Sequence, residues 1–436
     1  MKNNILKLLL LLLPLFVFQS CMKDQEDVFN EPSSLRMQNT LDKTRKVLEG
    51  SDKGWIMDYY VGDNQQYGGY AFTVKFDSLT CTASSELSAD TATSYYKLTT
   101  DDGPVLTFDT YNTVLHALAT PSADNYEGFH ADYEFIILSA DANEVVLQGK
   151  KTGSIMKMHP LTETPSAYLN SVQSTIGNFV INGASGVVDK TNLDILVNID
   201  NRQIVYSISN DSTITGSTAF TITDKGVRLY EPIIVNGQKL QNFIFDAENT
   251  TLTCTDASNV TLKGTLPVGY IKYSDYAGDY SFTYSLPVSG KQTKQMMDVK
   301  LTPSGDGTTY KLDGLNSKFS PVLKYNKSKG NLELNSQVIG DYQGSKIWLC
   351  AWGVAAGGSL TWNPSAGMVL KYNQSLSTPE KPAFDWTSNG YTGLTSDSFI
   401  MWLIDSNNAS VGSFVNPSWA VNGSNRFYYL KSLIKK

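Results

Sequence analysis

Histidine is almost missing from this chain: His116, His130 and His159 are the only three in 436 residues. None stands at helical spacing from another, so the HExxH arrangement that fixes zinc on one helix is excluded, and no metal is expected. A serine triad would have to draw on the same three side chains. Neither "GASGVV" nor "GGSLTW" supplies the GxSxG elbow that exposes such a serine. His116 and His130 therefore read as loop or core residues, with a meeting in space as the alternative. Cysteine is equally scarce. Cys21, Cys81, Cys254 and Cys350 include no CxxC, which argues against a disulfide framework and against a zinc knuckle. Cys81 and Cys350 lie in strand-like runs and read as small buried apolar side chains; whether a pair among the last three oxidises outside the cytoplasm is left open. Charge is thin: 18% of residues are charged, the net charge is −7, and no Lys/Arg stripe forms, so nucleic acid is not an expected partner. No cofactor is expected.

Long apolar runs are also lacking, with one exception at the start. Lys2 and Lys7 precede Leu8–Leu13 and Leu15–Phe18, which Pro14 interrupts. That run is about half of the roughly 20 residues a membrane-spanning helix needs. A charged start, a short apolar core and a small residue (Ser20) describe an export signal, which assigns residues 1–20 to a signal peptide. Cys21 follows directly, and the junction resembles a bacterial lipobox, in which the chain is cut before a cysteine that carries diacylglycerol. Cys21 is thus the expected lipidation site. Residues 21–32 form an acidic tether with Asp24, Glu26 and Asp27. This stretch resembles the signal that sends Bacteroidota lipoproteins to the cell exterior, so the expected location is the outer membrane, lipid-anchored and facing outward.

What remains has period two almost throughout. In "YAFTVKFD", Tyr70, Phe72, Val74 and Phe76 alternate with Ala71, Thr73, Lys75 and Asp77. "NLDILVNID" sets Leu193, Ile195, Val197 and Ile199 on one face, and Asp200-Asn201 turns it into "NRQIVYSIS". "MDVKLTPSGDGTTYKLDGL" reads as a hairpin around Ser304–Gly307. Such short strands indicate a mainly β chain of antiparallel sandwiches or up-and-down barrels, and the C-terminal third resembles a lipocalin-like barrel. One short N-terminal packing helix is expected in "PSSLRMQNTLDKTRKVLEGS", capped by Ser33 or Ser34, with Leu35, Leu41 and Leu48 near one face and Gly50 at its end. Alternation lapses at 159–174, where a short helix over 167–172 is a candidate, and again at 266–280. These breaks divide the chain into an N-terminal β domain (33–165), a middle β domain (166–268) and a C-terminal lipocalin-like β domain (269–436).

The passage "YKLTTDDGPVLTFDTYNTVLHALATPS" (96–122), with "YGGYAFTVKFD" before it and "LQGKKTG" after it, resembles a domain-of-unknown-function family of Bacteroidota lipoproteins. The resemblance is clearest from Gly54 to Leu161. It implies a neighbourhood of SusC/SusD-type outer-membrane importers and carries no catalytic residue. Within the passage, Asp101-Asp102-Gly103-Pro104 is turn chemistry. A gathering of Asp101, Asp102, Asp109 and Asn112 around a cation or sugar hydroxyls is the alternative.

The residues expected to touch a ligand are Tyr111 and Asn112 in that passage, and Trp352 and Trp362 further on. Six of the seven tryptophans lie between Trp348 and Trp419, and Trp352 and Trp362 flank the glycine-rich "GVAAGGSL", expected to be flexible. Indoles beside such a loop stack on a sugar ring or clamp a peptide; the competing reading is that they fill a core. The expected function is therefore a non-catalytic surface lipoprotein that helps a SusC/SusD-like importer capture a peptide or glycan. A secreted hydrolase with an unrecognised carboxylate pair and a structural envelope protein are the alternatives.

Overall fold

The computed structural model describes residues 31–436 except Asp102, Asp124, Asp211 and Pro379. Residues 1–30 lie outside the described residues, and with them the expected signal peptide, Cys21 and all of the expected tether but Glu31 and Pro32. Two compact units result, one containing the residues up to Asn64 with Phe72–Pro165, the other Gln65–Ala71 with Ser166–Lys436. The chain is mainly β and antiparallel, as the alternation implies.

In the first unit, helix α1 (Ser33–Glu49) precedes nine strands. These are β1 (Trp55–Tyr60), β2 (Gly69–Phe76), β3 (Thr80–Ser85), β4 (Ser88–Tyr95), β5 (Lys97–Thr100), β6 (Pro104–Thr107), β7 (Glu134–Ala140), β8 (Val145–Gly149) and β9 (Ile155–Pro160). They form one sheet in the order β4-β3-β2-β1-β9-β8-β7-β6-β5. Helix α1 lies over β5, β6 and β7 and is pinned where the Trp55 indole N–H donates to the Leu48 carbonyl at 2.9 Å. Its buried stripe is Leu41, Thr44 and Leu48, whereas Leu35 is 47% exposed, contrary to the expected face. Neither serine caps it: Pro32 takes the cap position, and its carbonyl accepts from the amides of Leu35 and Arg36. Proline suits that place because its fixed φ leads into a helix. In β2 both faces are covered, since Ala71 and Thr73 are as buried as Phe72 and Val74. Aromatic rings fill the interior, with Tyr59 and Phe72 centred 4.6 Å apart and Phe76 and Tyr96 at 5.0 Å.

Near the start of the second unit, helix α2 (Pro165–Asn178) contains the 167–172 candidate and runs past both of its ends. Tyr168, Leu169, Val172 and Thr175 make its buried face at helical spacing. The Thr175 hydroxyl donates to the Asp224 carbonyl at 3.0 Å, and Phe179 just beyond packs on Phe245 at 4.9 Å. Eight strands, β10 (Gly183–Val188) through β17 (Thr261–Thr265), follow and close into a barrel where Gly183 pairs Thr265. Strand alternation holds here: Leu193, Ile195 and Val197 point in, while Leu196 between them is 68% exposed. Ile199 leaves the stripe because Asn198 turns the chain, its side-chain oxygen accepting from the amides of Asp200 and Asn201.

Thirteen strands complete the unit: β18 (Gly278–Val288), β19 (Lys291–Pro303), β20 (Thr309–Asp313), β21 (Val322–Asn326), β22 (Asn331–Asn335), β23 (Gln337–Tyr342), β24 (Ser345–Gly353), β25 (Ser359–Thr361), β26 (Gly367–Tyr372), β27 (Ala383–Ser388), β28 (Ser398–Ile404), β29 (Ser410–Ser413) and β30 (Arg426–Lys435). Following the pairing β18-β19-β20-β21-β22-β26-β27-β30 and back to β18 traces a second closed barrel. The other five strands form a side sheet attached through β30. The end of β30 pairs with β27 (Ala383 opposite Ile434), while its start pairs with β28 (Phe399 opposite Phe427). Tyr429, at φ 46°, sits between these segments, and the register with β18 shifts beside it, the kind of irregularity that bends a strand from one sheet toward another.

Candidate functional site

An eight-stranded barrel has a lumen just wide enough for side chains or for one small ligand. In the C-terminal barrel, side chains take it. Tyr276, Tyr280, Tyr284, Tyr310, Phe282 and Phe384 are all at most 2% exposed. Their hydroxyls are satisfied internally: Tyr276 donates to the Gly330 carbonyl at 3.0 Å, Tyr280 to Tyr276 at 2.8 Å and Tyr310 to Tyr273 at 2.5 Å. Burial pushes these phenols up, Tyr310 to about 12. This interior is a packed core, which leaves the side sheet as the place for a ligand.

There the period-two rule sorts the residues. Along β24, Ile347, Leu349 and Ala351 join the barrel core, so Trp348, Cys350 and Trp352 alternate to the other face, with Trp352 also packing against core residues. Along β28, Phe399 and Met401 go to the core and Ile400 and Trp402 to the other face. Register sets Trp348 opposite Trp402. Strand β25 sets Leu360 opposite Trp352, and continuing its alternation one residue past the strand end assigns Trp362 to the same side. Trp348, Trp352, Trp362 and Trp402 thus share one face, each half-buried, over the buried Cys350 and Ile400. Val338, opposite Trp348 and 42% exposed, extends it.

Three of these indoles are held by their polar edges. The N–H of Trp352 donates to the Gly358 carbonyl at 2.9 Å, that of Trp362 to Asn408 Oδ1 at 3.0 Å, and that of Trp402 to Ser410 Oγ at 2.7 Å. Orientation fixed before binding lowers the entropy lost on binding. The loop between Trp352 and Trp362 is tied rather than loose. The Asp397 carboxylate accepts from the amides of Val354 (3.0 Å) and Ala355 (2.9 Å), and the Gly358 amide donates to the Gly353 carbonyl at 2.9 Å. The remaining C-terminal tryptophans pack inward: Trp386 is 5% exposed, and Trp419 stacks on Phe319 with centroids 5.9 Å apart. The tryptophan cluster therefore divides, two toward the core and four on a shared face.

The pair expected in the first unit separates by role. Tyr111 is 63% exposed, and its ring lies 5.3 Å from that of His116. Asn112 is 2% exposed and fully engaged: its oxygen accepts from the amides of Val114 and Leu115, and its amide group donates to the Ala92 carbonyl and Ser94 Oγ. Asp101 and Asp109 pair with different lysines, Lys150 and Lys97. Asp102 lies outside the described residues. His116 packs against Tyr133 at 4.9 Å, and burial lowers its pKa. His130 sits between Asp63 Oδ1 (3.3 Å) and Glu127 Oε2 (3.2 Å), and His159 faces Glu144 at 3.8 Å. Among the described residues no three His, Cys, Asp or Glu side chains gather as a metal-holding group. Cys81, Cys254 and Cys350 are all free and buried, and burial raises the thiol of Cys81 to about 11 and that of Cys350 to about 12.

Comparison with protein families finds two matches. A second-half model, described only as a domain of unknown function (DUF4987), matches residues 253–402, a span that includes all four tryptophans of the shared face. Among curated proteins none matches the chain. The model described as a domain of unknown function (DUF4302) matches residues 25–247, just over half of the sequence, and the chain belongs to that family.

Proposed function

We propose that this chain is a non-catalytic surface lipoprotein that captures an oligomeric nutrient, peptide or glycan, for a SusC/SusD-like importer of a Bacteroidota outer membrane. The observation that carries the binding reading is the shared face of Trp348, Trp352, Trp362 and Trp402, three of them fixed through their indole N–H groups. Flat rings with an apolar body and a polar edge suit both sugar faces and peptide side chains. The anchor reading rests on the apolar run before Cys21 and the acids after it. A lipid tether would keep the binding face near an importer and raise its effective concentration there.

Two measurements test this. Trp348→Ala with Trp402→Ala should weaken retention on immobilised peptide or glycan pools by about tenfold or more, since each stacking ring contributes about 0.5–1.5 kcal/mol. Melting is followed alongside, because both rings are half-buried and their removal also costs packing. Undiminished retention removes the face from the account. Turnover of a defined glycan or peptide by the pure protein, abolished by changing one carboxylate, would make the protein a hydrolase instead. Separately, Cys21→Ala should shift the protein out of the membrane fraction and abolish labelling by palmitate. A wild type that takes no label and a variant that stays membrane-bound would end the anchor reading.

A further inference from the structure

We infer that the face described above takes a polysaccharide bearing ring carboxylates, with Arg426 as the residue that grips the acid group. This rests on the tryptophan-face reading and adds the ligand's charge and class.

Arg426 opens β30 opposite Ile400 of β28, which itself lies opposite Cys350, so the register sets it between the Trp348–Trp402 row and Trp352. Its guanidinium carbon lies 5.8 Å from the centre of the Trp352 ring, and one terminal nitrogen donates to Tyr428 Oη at 3.0 Å. The Tyr428 ring in turn sits 5.0 Å from that of Trp352. Arg426 and Tyr428 also line a cleft of about 460 Å³, with Asn416, Ser424, Asn425 and Val415 among the other walls. No acidic side chain lines that cleft, and Arg426 forms no ion pair among the described residues. The Asp397 carboxylate, just before the neighbouring strand β28, is spent on the amides of Val354 and Ala355 and the hydroxyl of Ser398. The Arg426 Nε is itself buried without an acceptor.

A half-buried guanidinium with no anion forgoes the interaction that offsets its desolvation. The group that completes it best is a carboxylate, whose two oxygens match the planar fork. The chain as a whole is acidic, at −7, so this local cation is not part of a general basic surface. Sugar is favoured over peptide by what surrounds the arginine. Trp348 and Trp352 are four residues apart on one strand, about 13 Å, and Trp402 and Trp362 flank that line. A run of flat indoles with one cation beside it, and amide and hydroxyl groups in the adjoining cleft, matches stacked rings bearing hydroxyls and a carboxylate.

Calorimetric titration of the detergent-solubilised mature chain tests this, with polygalacturonate oligosaccharides as the probe and their methyl-esterified form as the neutral control. The acid form should bind at least about tenfold more tightly than the ester, and added salt should narrow the gap. Arg426→Lys keeps the charge and loses the fork, and Arg426→Gln loses both; each should erase most of the difference, with melting followed alongside. The ester comparison needs no variant, so it stands even where a substitution unfolds the strand. Equal binding of acid and ester, both weakened by Trp348→Ala with Trp402→Ala, would overturn the carboxylate assignment and leave the tryptophan face intact. Binding of neither would count against both. Tight, Arg426-dependent binding of polyglutamate without binding of polygalacturonate would overturn the polysaccharide class.

Discussion

Raising the pH from 10 to 12 should unfold the C-terminal barrel cooperatively, with the tyrosine rings ionising in the same step. Tyr276, Tyr280 and Tyr310 are at most 1% exposed, and each hydroxyl donates to a backbone carbonyl. Removing a proton there loses the donor and leaves an anion in the core. Burial is the first cause of the upward shift in all three, which brings Tyr310 to about 12. The sign follows. Below pH 10 these tyrosines are neutral in both states and stability is unaffected. Above pH 10 the unfolded chain ionises while the folded barrel does not, so the folded state is disfavoured progressively until pH passes the folded pKa. Each such group removes about 1.4 kcal/mol per pH unit, so three together remove about 4 kcal/mol per unit. Against a total of about 5–15 kcal/mol, one to two units suffice to unfold many proteins. Tyrosinate absorbance and near-UV circular dichroism, followed together, check this. A smooth titration centred at 10 with intact dichroism would show that the rings reach solvent without unfolding.

That core of tyrosines was only partly legible in the sequence. Alternation located the strands, and it worked best where one face is wet, as in β11 with Leu193, Ile195 and Val197 inside and Leu196 outside. It failed in β2, where Ala71 and Thr73 are also covered, because small and hydroxylated residues do not announce burial. Helix α2 was shortened for a related reason: Thr175 lies on the buried face through a hydroxyl that bonds to the Asp224 carbonyl, a partner far away in the chain. The tryptophan face was half visible. Trp348 and Trp352 differ by an even number, so period two alone puts them together, and that count would have added Trp348 to the candidates. Its pairing with Trp402 depends on a register between β24 and β28 that no local pattern contains. Arg426 was invisible as a candidate, because its lack of an acidic partner is a property of the folded surroundings.

The largest single-residue effects are expected at a turn whose sequence, "LQGKKTG", carried part of the family resemblance. Asp132 is 3% exposed, and its carboxylate accepts from the amides of Lys151 at 2.6 Å and Thr152 at 3.3 Å, and from the Thr152 hydroxyl. A side chain at Gly149 would place its Cβ 2.1 Å from Asp132 Oδ2, so glycine is required there by the carboxylate and not by its own backbone angles. Gly153 differs: at φ 73° it closes the turn, its amide donating to the Gly149 carbonyl at 3.0 Å. Asp132→Ala should destabilise the first unit by about 2–4 kcal/mol, because it strips a charged acceptor from several partly buried donors. Gly149→Ala should cost about 1–3 kcal/mol through overpacking against that same carboxylate. In the double variant the obstruction is gone, so the second substitution should add little, giving a coupling of about 1–3 kcal/mol. Urea unfolding of the four proteins measures it. Simple additivity would mean that Gly149 is held by something other than Asp132, and a neutral Asp132→Ala would mean that water satisfies the Lys151 and Thr152 amides as well as the carboxylate does.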